Sequence, residues 1–418
     1  VGAEFFTVLP VAEARKKMDG YLPAELRSPE RRPLLECLGR RLARPIQSQE
    51  NVPGFARSTV DGFAVRAKDT FGATEASPAY LRIVGEVRMG VAPDCKVGPG
   101  EAVRVATGAM LPEGADAVVM IEHTEPLGKE EIEVIRPVGP GENVIFPDED
   151  ISSGEEIFPA NHLLRPQDLG FLAALGELEL EVWAALSVGI ISTGDEVVPP
   201  GEKPRPGQIR DVNSYALAAK VVECGGRPVL YGLVKDDPEM LCQVLKQALE
   251  ETDVVVVSGG SSVGTRDLTT EVLSGLGKPG LLFHGLAVRP GKPTLGAVVG
   301  KTPVFGLPGH PAAALISFDL LVAPLLKFGS YRRIKPAALP VPALLSRSLA
   351  SAPGREDFIR VKLRSEKGKL WADPLLGKSG LLSPMVRGDG IFRIPLEKEG
   401  VAAGSEVEVY LFGTDYVL

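Results

Sequence analysis

The sequence predicts a multidomain α/β-plus-β protein, with a central doubly wound, mostly parallel α/β domain flanked by two small β domains and an N-terminal helical segment. Three observations carry that reading. Between residues 186 and 330, nearly continuous apolar runs alternate with amphipathic helical patterns, as strands buried on both faces of a parallel sheet require. Before and after this stretch, short segments of alternating hydrophobicity are separated by Gly and Pro turns, which is the pattern of compact β domains. The chain has 418 residues, 44% hydrophobic and 24% charged, enough for several domains that each bury a core.

Residues 1–46, together with 158–185, read as the helical segment. Val11–Tyr21 and Arg31–Leu42 mix apolar and charged positions behind Pro10 and Pro33, which suit helix starts. Arg165–Leu178 repeats the pattern, with Pro166 and Asp168 in its first turn. Residues 47–157 form the first β domain, built on Tyr80–Val87, Glu101–Ala106, Ala117–Glu122 and Glu131–Arg136. Residues 186–330 supply the α/β domain, with strands at Leu186–Ile191, Val229–Val234, Val254–Val257, Leu281–Phe283 and Val304–Gly306. Asn213 is the expected N-cap of a helix at Ser214–Cys224 that Gly225 stops, and Asp237-Pro238 caps and opens Glu239–Glu251. The basic, proline-rich stretch Gly329–Leu345 suits a linker. Residues 336–418 make the second β domain, through Phe358–Leu363, Lys369–Trp371, Ile391–Ile394 and Glu406–Phe412.

Composition removes several function classes. Acidic residues exceed basic ones, 54 to 46, for a formal charge of −8, which argues against a nucleic-acid partner. Cys37, Cys95, Cys224 and Cys242 stand far apart, and the four histidines form no H-x-x-x-H grouping, so neither a disulfide framework nor a thiolate or imidazole metal cage is expected. A metal would sit on carboxylates, which points to Mg²⁺. No apolar run of the sequence approaches the length of a membrane span, and no signal peptide is read at the start. A cytoplasmic setting with no membrane partner is the expectation.

In a parallel α/β sheet, ligands bind beyond the carboxyl ends of the strands. Four loops fall there. Ser192-Thr193-Gly194-Asp195-Glu196 follows the first strand, and Ser258-Gly259-Gly260-Ser261-Ser262-Val263-Gly264, with Asp267 beyond it, follows another. Asp236-Asp237 and Gly306-Leu307-Pro308-Gly309-His310-Pro311 complete the set, the last running into an apolar helix over Ala312–Leu326. Glycine-rich loops bring backbone N–H groups close to an anion, and a following helix N-terminus adds positive potential. Singly, each loop reads more readily as a tight turn or cap. Two with hydroxyls beside two with acids favour a phosphate or pterin site. Glu196, Asp236 and Asp267 can share one Mg²⁺ between them, whereas Asp237 is explained by its cap. The turn Arg289-Pro290-Gly291-Lys292-Pro293 sets two cations three residues apart on a stiff loop, which suits a dianion. There is neither a G-x-G-x-x-G nor a Walker A lysine, which disfavours nicotinamide and P-loop chemistry.

Together these segments resemble the molybdopterin molybdenumtransferase family, which includes the E domain of gephyrin. The matching pieces are R-S-T-V-D-G-F-A at 57–64, T-G-A-M-L-P-E-G-A-D-A-V-V at 107–119, S-T-G-D-E at 192–196, D-D at 236–237, S-G-G-S-S-V-G-x-x-D at 258–267, R-P-G-K-P at 289–293 and G-L-P-G at 306–309. Singly most are weak; in this order they are specific. The resemblance implies that adenylylated molybdopterin and molybdate are substrates, that AMP and the molybdenum cofactor are products, and that the chain is a homodimer through its helical segment. It further implies exchange with a molybdopterin adenylyltransferase and with apo-molybdoenzymes.

Carried over residue by residue, Asp61, Thr107, Glu196, Asp236 and Asp267 match the family's catalytic cleft. Arg289, Lys292 and Pro293 match its molybdate turn, and Arg355 with Ser379 or Ser383 matches an oxyanion pocket. Ser192, Thr193, Gly194, Ser258, Gly259, Gly260, Ser261, Gly264 and Gly309 are the expected substrate-binding positions of the loops. This chain departs from the family at Gly285, where a lysine is common, at His310 in place of asparagine, at Ala313 in place of serine, and over Val144–Asp150, where Ile145, Phe146, Pro147 and Asp148 replace the usual arginines and glycine. Two other readings compete: a molybdopterin adenylyltransferase, which would consume ATP, and a non-catalytic scaffold like gephyrin's E domain.

Overall fold

A computed structural model describes residues 8–259, 268–334, 339–377 and 380–414. The chain divides into two compact units: Arg31–Val182, and the segment up to Glu30 together with Trp183–Leu418.

The Arg31–Val182 unit is built on a six-stranded sheet in the order Ala117–Met120, Gly62–Val65, Glu101–Val105, Ala79–Val87, Glu131–Val134 and Thr124–Leu127. Only Ala79–Val87 and Glu101–Val105 pair in parallel. Successive residues of a strand point to opposite faces, and here both faces are covered. Phe63, Val65, Ala102 and Val119 join one core, while Ala64, Val103, Val105 and Val118 join another. Gly62 sits between two paired strands where a Cβ would collide with the Val119 carbonyl, so no other residue fits.

The expected helix at Arg31–Leu42 is absent. Pro29–Pro33 is a strand, and only Leu34–Cys37 turns, as a 3₁₀ helix. Pro33 disfavours the helical region for the residue before it, and Gly39 at φ 73° ends the turn. Leu34 and Cys37, three apart, are buried, whereas Leu35 and Leu38 face out. The helix expected at Arg165–Leu178 forms over Pro166–Ala174, with Asp168 accepting the Arg165 backbone N–H.

In the other unit, the strand order is Arg227–Val234, Ser187–Thr193, Val254–Ser258, Thr302–Leu307, Leu295–Val299 and Pro279–His284. The first four run parallel, and Leu295–Val299 runs against both its neighbours, so Leu281–Phe283 lies on an edge strand held by an antiparallel pairing. Alternation again sorts the two faces. Val188, Ile190, Val254, Val256 and Phe305 pack under Asn213–Glu223, Pro311–Leu321 and Val11–Asp19. Ile191, Val255, Val257 and Val304 pack under Pro238–Glu251 and Leu268–Leu276.

The apolar helix expected over Ala312–Leu326 is two helices, Pro311–Leu321 and Ala323–Phe328. Pro324 has no N–H for the Leu320 carbonyl, and Arg15 Nε takes that carbonyl instead at 2.8 Å. Pro311–Phe328 spans 18 residues and is apolar enough to cross a membrane by composition, but 83% of it is buried within the protein, as a core helix is.

The described residues of the expected linker at Gly329–Leu345 are more ordered than its composition suggests. Arg332 pairs with Asp19 and Arg333 with Glu25, and Val341–Leu345 is a strand. Pro342 is tolerated because it lies where that strand has a neighbour on one side only. Val341–Leu345, Glu356–Glu366, Lys369–Pro374, Gly390–Ile394 and Glu406–Leu411 close on themselves, since Glu356–Glu366 pairs with both Lys369–Pro374 and Gly390–Ile394. Their inward residues form a separate core around Leu345, Val361, Phe392 and Val409.

Candidate functional site

The carboxyl ends of three parallel strands stop level with one another, because Ser192 is in register with Ser258 and Ser258 with Leu307. Gly259, at φ 103°, lies so close to Thr193 that a Cβ would strike the Thr193 carbonyl, and its N–H donates to the Leu307 carbonyl at 3.2 Å. Ser192 is turned inward. Its hydroxyl meets Ser214 Oγ at 2.8 Å and Asp211 Oδ1 at 3.4 Å, so it fixes the start of the next helix. Gly194 makes the sharp exit from the strand at φ 145°.

Asn213 does not cap its helix, as the sequence suggested. Asp211 accepts the Ser214 N–H at 3.1 Å, and Asn213 is the first helical residue. Its side-chain amide instead donates to Ser258 Oγ at 2.6 Å and to the Gly309 carbonyl at 2.8 Å, tying two of the expected binding loops together. Asn213 Oδ1 and Thr193 Oγ1 are both buried and have no hydrogen-bond partner among the described residues. Buried polar atoms are nearly always paired, and both of these lie beneath the expected binding loops at the end of the sheet. Gly260, Ser261, Gly264 and Asp267 lie outside the described residues.

Beside this edge the acids gather. The Asp236 N–H donates to Asp195 Oδ1 at 3.3 Å. Although Asp236 as a residue is exposed, partial withdrawal of its carboxyl from water, and then the charges of Asp195 and Glu196, hold it above the ordinary value. Asp195, which the sequence reading did not select, thus belongs with Glu196 and Asp236, which it did. Among the described residues no three His, Cys, Asp or Glu side chains form a metal cage. Mg²⁺ commonly takes one or two protein carboxylates and completes its shell with water and substrate phosphate, and the Asp236 pair suits that mode.

The Arg289–Pro293 turn packs on the helix Pro311–Leu321. A Cβ on Gly291 would lie 2.8 Å from Ser317 Oγ, and Thr294 Oγ1 donates to the Gly291 carbonyl at 2.6 Å. Both cationic side chains, Arg289 and Lys292, face outward, with Pro293 half-buried between them and Thr294. Residues Val288–Arg289 pair in parallel with Glu356–Asp357. That register sets Arg289 beside Asp357, 3.8 Å away, and Arg355 Nε donates to the same carboxylate at 2.9 Å. The sequence-selected Arg289 and Arg355 therefore meet through a buried acid that was not selected. Ser383 opens the short helix Ser383–Arg387 at the surface, and Ser379 lies outside the described residues. A Cβ on Gly380 would lie 3.3 Å from the His310 ring, so the chain near Ser383 runs against the Gly309 turn.

In the Arg31–Val182 unit, Asp61 and Thr107 are brought together. Thr107 donates to Asp61 Oδ1 twice, from its N–H at 2.7 Å and its hydroxyl at 3.0 Å. These bonds hold the exposed Asp61 carboxyl below its ordinary value, the backbone one contributing most. The two segments are laced by Gly108 N–H to Ser58 carbonyl and Ser58 N–H to Ala109 carbonyl, at 2.8 and 3.0 Å.

Comparison with known proteins gives three family matches along the chain: the MoeA N-terminal region (domain I and II) over residues 9–176, the "probable molybdopterin binding domain" over 189–327, and the MoeA C-terminal region (domain IV) over 342–412. A molybdopterin molybdenumtransferase of Bacillus subtilis is 32% identical, covering 90% of this chain and 88% of that protein. Molybdopterin molybdenumtransferase 2 of Mycobacterium tuberculosis is also 32% identical, over 90% of this chain and 94% of its own. Among solved structures, a molybdopterin biosynthesis MoeA protein from Pyrococcus horikoshii superposes with a TM-score of 0.84 at 33% identity, covering 97% of this chain and 100% of that one.

Proposed function

The chain belongs to the MoeA family of molybdopterin molybdenumtransferases, and on that premise we propose that it inserts molybdenum from molybdate into adenylylated molybdopterin, releasing AMP and the molybdenum cofactor. It is an enzyme of molybdenum cofactor biosynthesis. The observation that carries the assignment to this place in the fold is the junction of Thr193, Asn213, Ser258 and Gly309 at the carboxyl edge of the sheet.

The substrates are anions, and bringing them together costs Coulomb energy. Arg289, Lys292 and Arg355 offset that cost, presenting outward-facing cations for molybdate. Asn213, tied to Ser258 and Gly309, orders the loops that would receive the pterin nucleotide. Two Mo–S bonds to the dithiol replace two Mo–O bonds, the two thiol protons and two from solvent carrying the displaced oxygens off as two waters, and a further water cleaves the pyrophosphate to free AMP. Asp236 and Glu196, with Asp195 beside them and Asp267 as a further candidate, are the carboxylates that would hold Mg²⁺, which when bound would neutralise pyrophosphate charge. Asp61, kept ionised by Thr107, positions water or a proton donor.

The same reading includes a cytoplasmic homodimer that takes adenylylated pterin from an adenylyltransferase and passes its product to apo-molybdoenzymes. All four cysteines are free thiols, as a reducing compartment favours. Leu35, Leu38 and Leu178, exposed at 84%, 54% and 70%, offer apolar surface for a second copy. Nucleotide analysis tests the reaction class. Supplied with adenylylated molybdopterin and Mg²⁺, the protein should release AMP when molybdate is added. Consumption of ATP with unmodified molybdopterin would point instead to adenylyl transfer.

A further inference from the structure

We infer that Asp357 is the positioning residue of an oxyanion clamp, holding Arg289 and Arg355 so that two guanidinium groups face one tetrahedral anion. The inference rests on the molybdate-inserting function proposed above and deepens it. Asp357 is 1% exposed, so it cannot itself meet a solute. A buried carboxylate is costly unless charged groups pair with it. Here the two partners come from different parts of the sequence: Arg355 from the same strand end, and Arg289 from the Arg289–Pro293 turn, brought alongside by the parallel pairing of Val288–Arg289 with Glu356–Asp357. The bond from the Glu356 N–H to the Ala287 carbonyl, 2.8 Å, fixes that register.

The geometry divides labour within each arginine. Arg355 spends Nε on Asp357 at 2.9 Å, which leaves its two terminal nitrogens without a partner among the described residues. Arg289 approaches the other carboxylate oxygen with Nη1 at 3.8 Å. The Arg289 side chain is 63% exposed and that of Arg355 35%, so both reach solvent while their shared counter-charge does not. Without that charge the two cations would repel each other and separate. A forked donor matches oxyanion geometry better than a point charge does. The clamp thus suits a dianion of molybdate's shape, and its orientation is set by a group the anion never touches.

The test is molybdate binding by calorimetry, with AMP release measured alongside, on the full chain. Asp357→Asn keeps the shape and removes the charge. It should weaken molybdate binding about tenfold and raise the KM for molybdate by a similar factor. The kcat at saturating molybdate should fall much less, and Asp357→Glu should recover part of the loss. Arg355→Lys guards against a folding failure of the Asn variant. Lysine keeps the charge but cannot hold Asp357 through Nε and present a fork as well, so it too should lose about tenfold. Wild-type molybdate affinity in either folded variant, with an active parent, overturns the clamp alone. A parent that neither binds molybdate nor releases AMP overturns the proposed function, and the clamp with it.

Discussion

Asp61 receives two hydrogen bonds from Thr107, and the lowered value of its carboxyl follows from them. Removing a donor should undo part of that effect. In Thr107→Ala, the acid limb of the pH–rate profile for AMP release should move to higher pH, because the folded enzyme's carboxylate would then protonate more readily; an unmoved limb would detach Asp61 from the reaction. Asp61→Asn should slow AMP release by about 10²-fold or more, with an unchanged melting temperature since the side chain is exposed. Asn213 makes a different prediction. Asn213→Ala strips donors from Ser258 and from the Gly309 carbonyl, and each group left unsatisfied costs about 1–3 kcal/mol. Binding of adenylylated molybdopterin should weaken, which fluorescence or calorimetric titration would reveal. Asp61 and Thr107 stand in segments whose ordered motifs single them out in the sequence, and their contact joins those two segments. Asn213 was misread because an Asn just before an amphipathic run is also what an N-cap looks like. Its real partners are 45 and 96 residues away, and no local pattern encodes such a choice. Asp357 was hidden for the same reason, since its role depends on a strand pairing with residues 288–289.

At the scale of elements, the helix Pro166–Ala174 carries a pH-sensitive contribution to stability. Burial alone would raise the Asp168 carboxyl, but bonds from Arg165 and His162 outweigh it and bring the group down to about 2. The folded value lies below the unfolded one of about 3.9. The stabilisation is therefore fully present above that pH and is lost as pH falls through about 2. Asp168→Asn should cost about 2 kcal/mol in urea unfolding at neutral pH, and should flatten the pH dependence between 4 and 2; an unchanged curve would contradict the linkage. The strands were readable because alternation decides which face each residue takes, as Val188/Ile190 and Ile191/Val255 demonstrate. Arg31–Leu42 failed because composition does not weigh Pro33 against Gly39, and the apolar run after Pro311 failed to show its break because Arg15, far away in sequence, makes the break tolerable. Leu295–Val299 escaped notice altogether, since antiparallel insertion at the edge of a parallel sheet leaves no distinctive period.

For the whole molecule, family membership extends over nearly the full chain, and three of the positions where the sequence departs from the pattern it resembles lie around the site. Gly285, His310 and Ala313 all border the turn and helix that hold Arg289 and Gly309. The arginine pair on Asp357 supplies cationic character there. The homodimer is open to sedimentation: a mass near twice 44.4 kDa is expected, and a monomer would withdraw that part of the account. The most direct test of the central claim is to titrate molybdate into purified protein with adenylylated molybdopterin and Mg²⁺, and to follow AMP release together with activation of an apo-molybdoenzyme. The account predicts that both rise in step with molybdate. AMP release without activation, or activation that ignores molybdate, would contradict it.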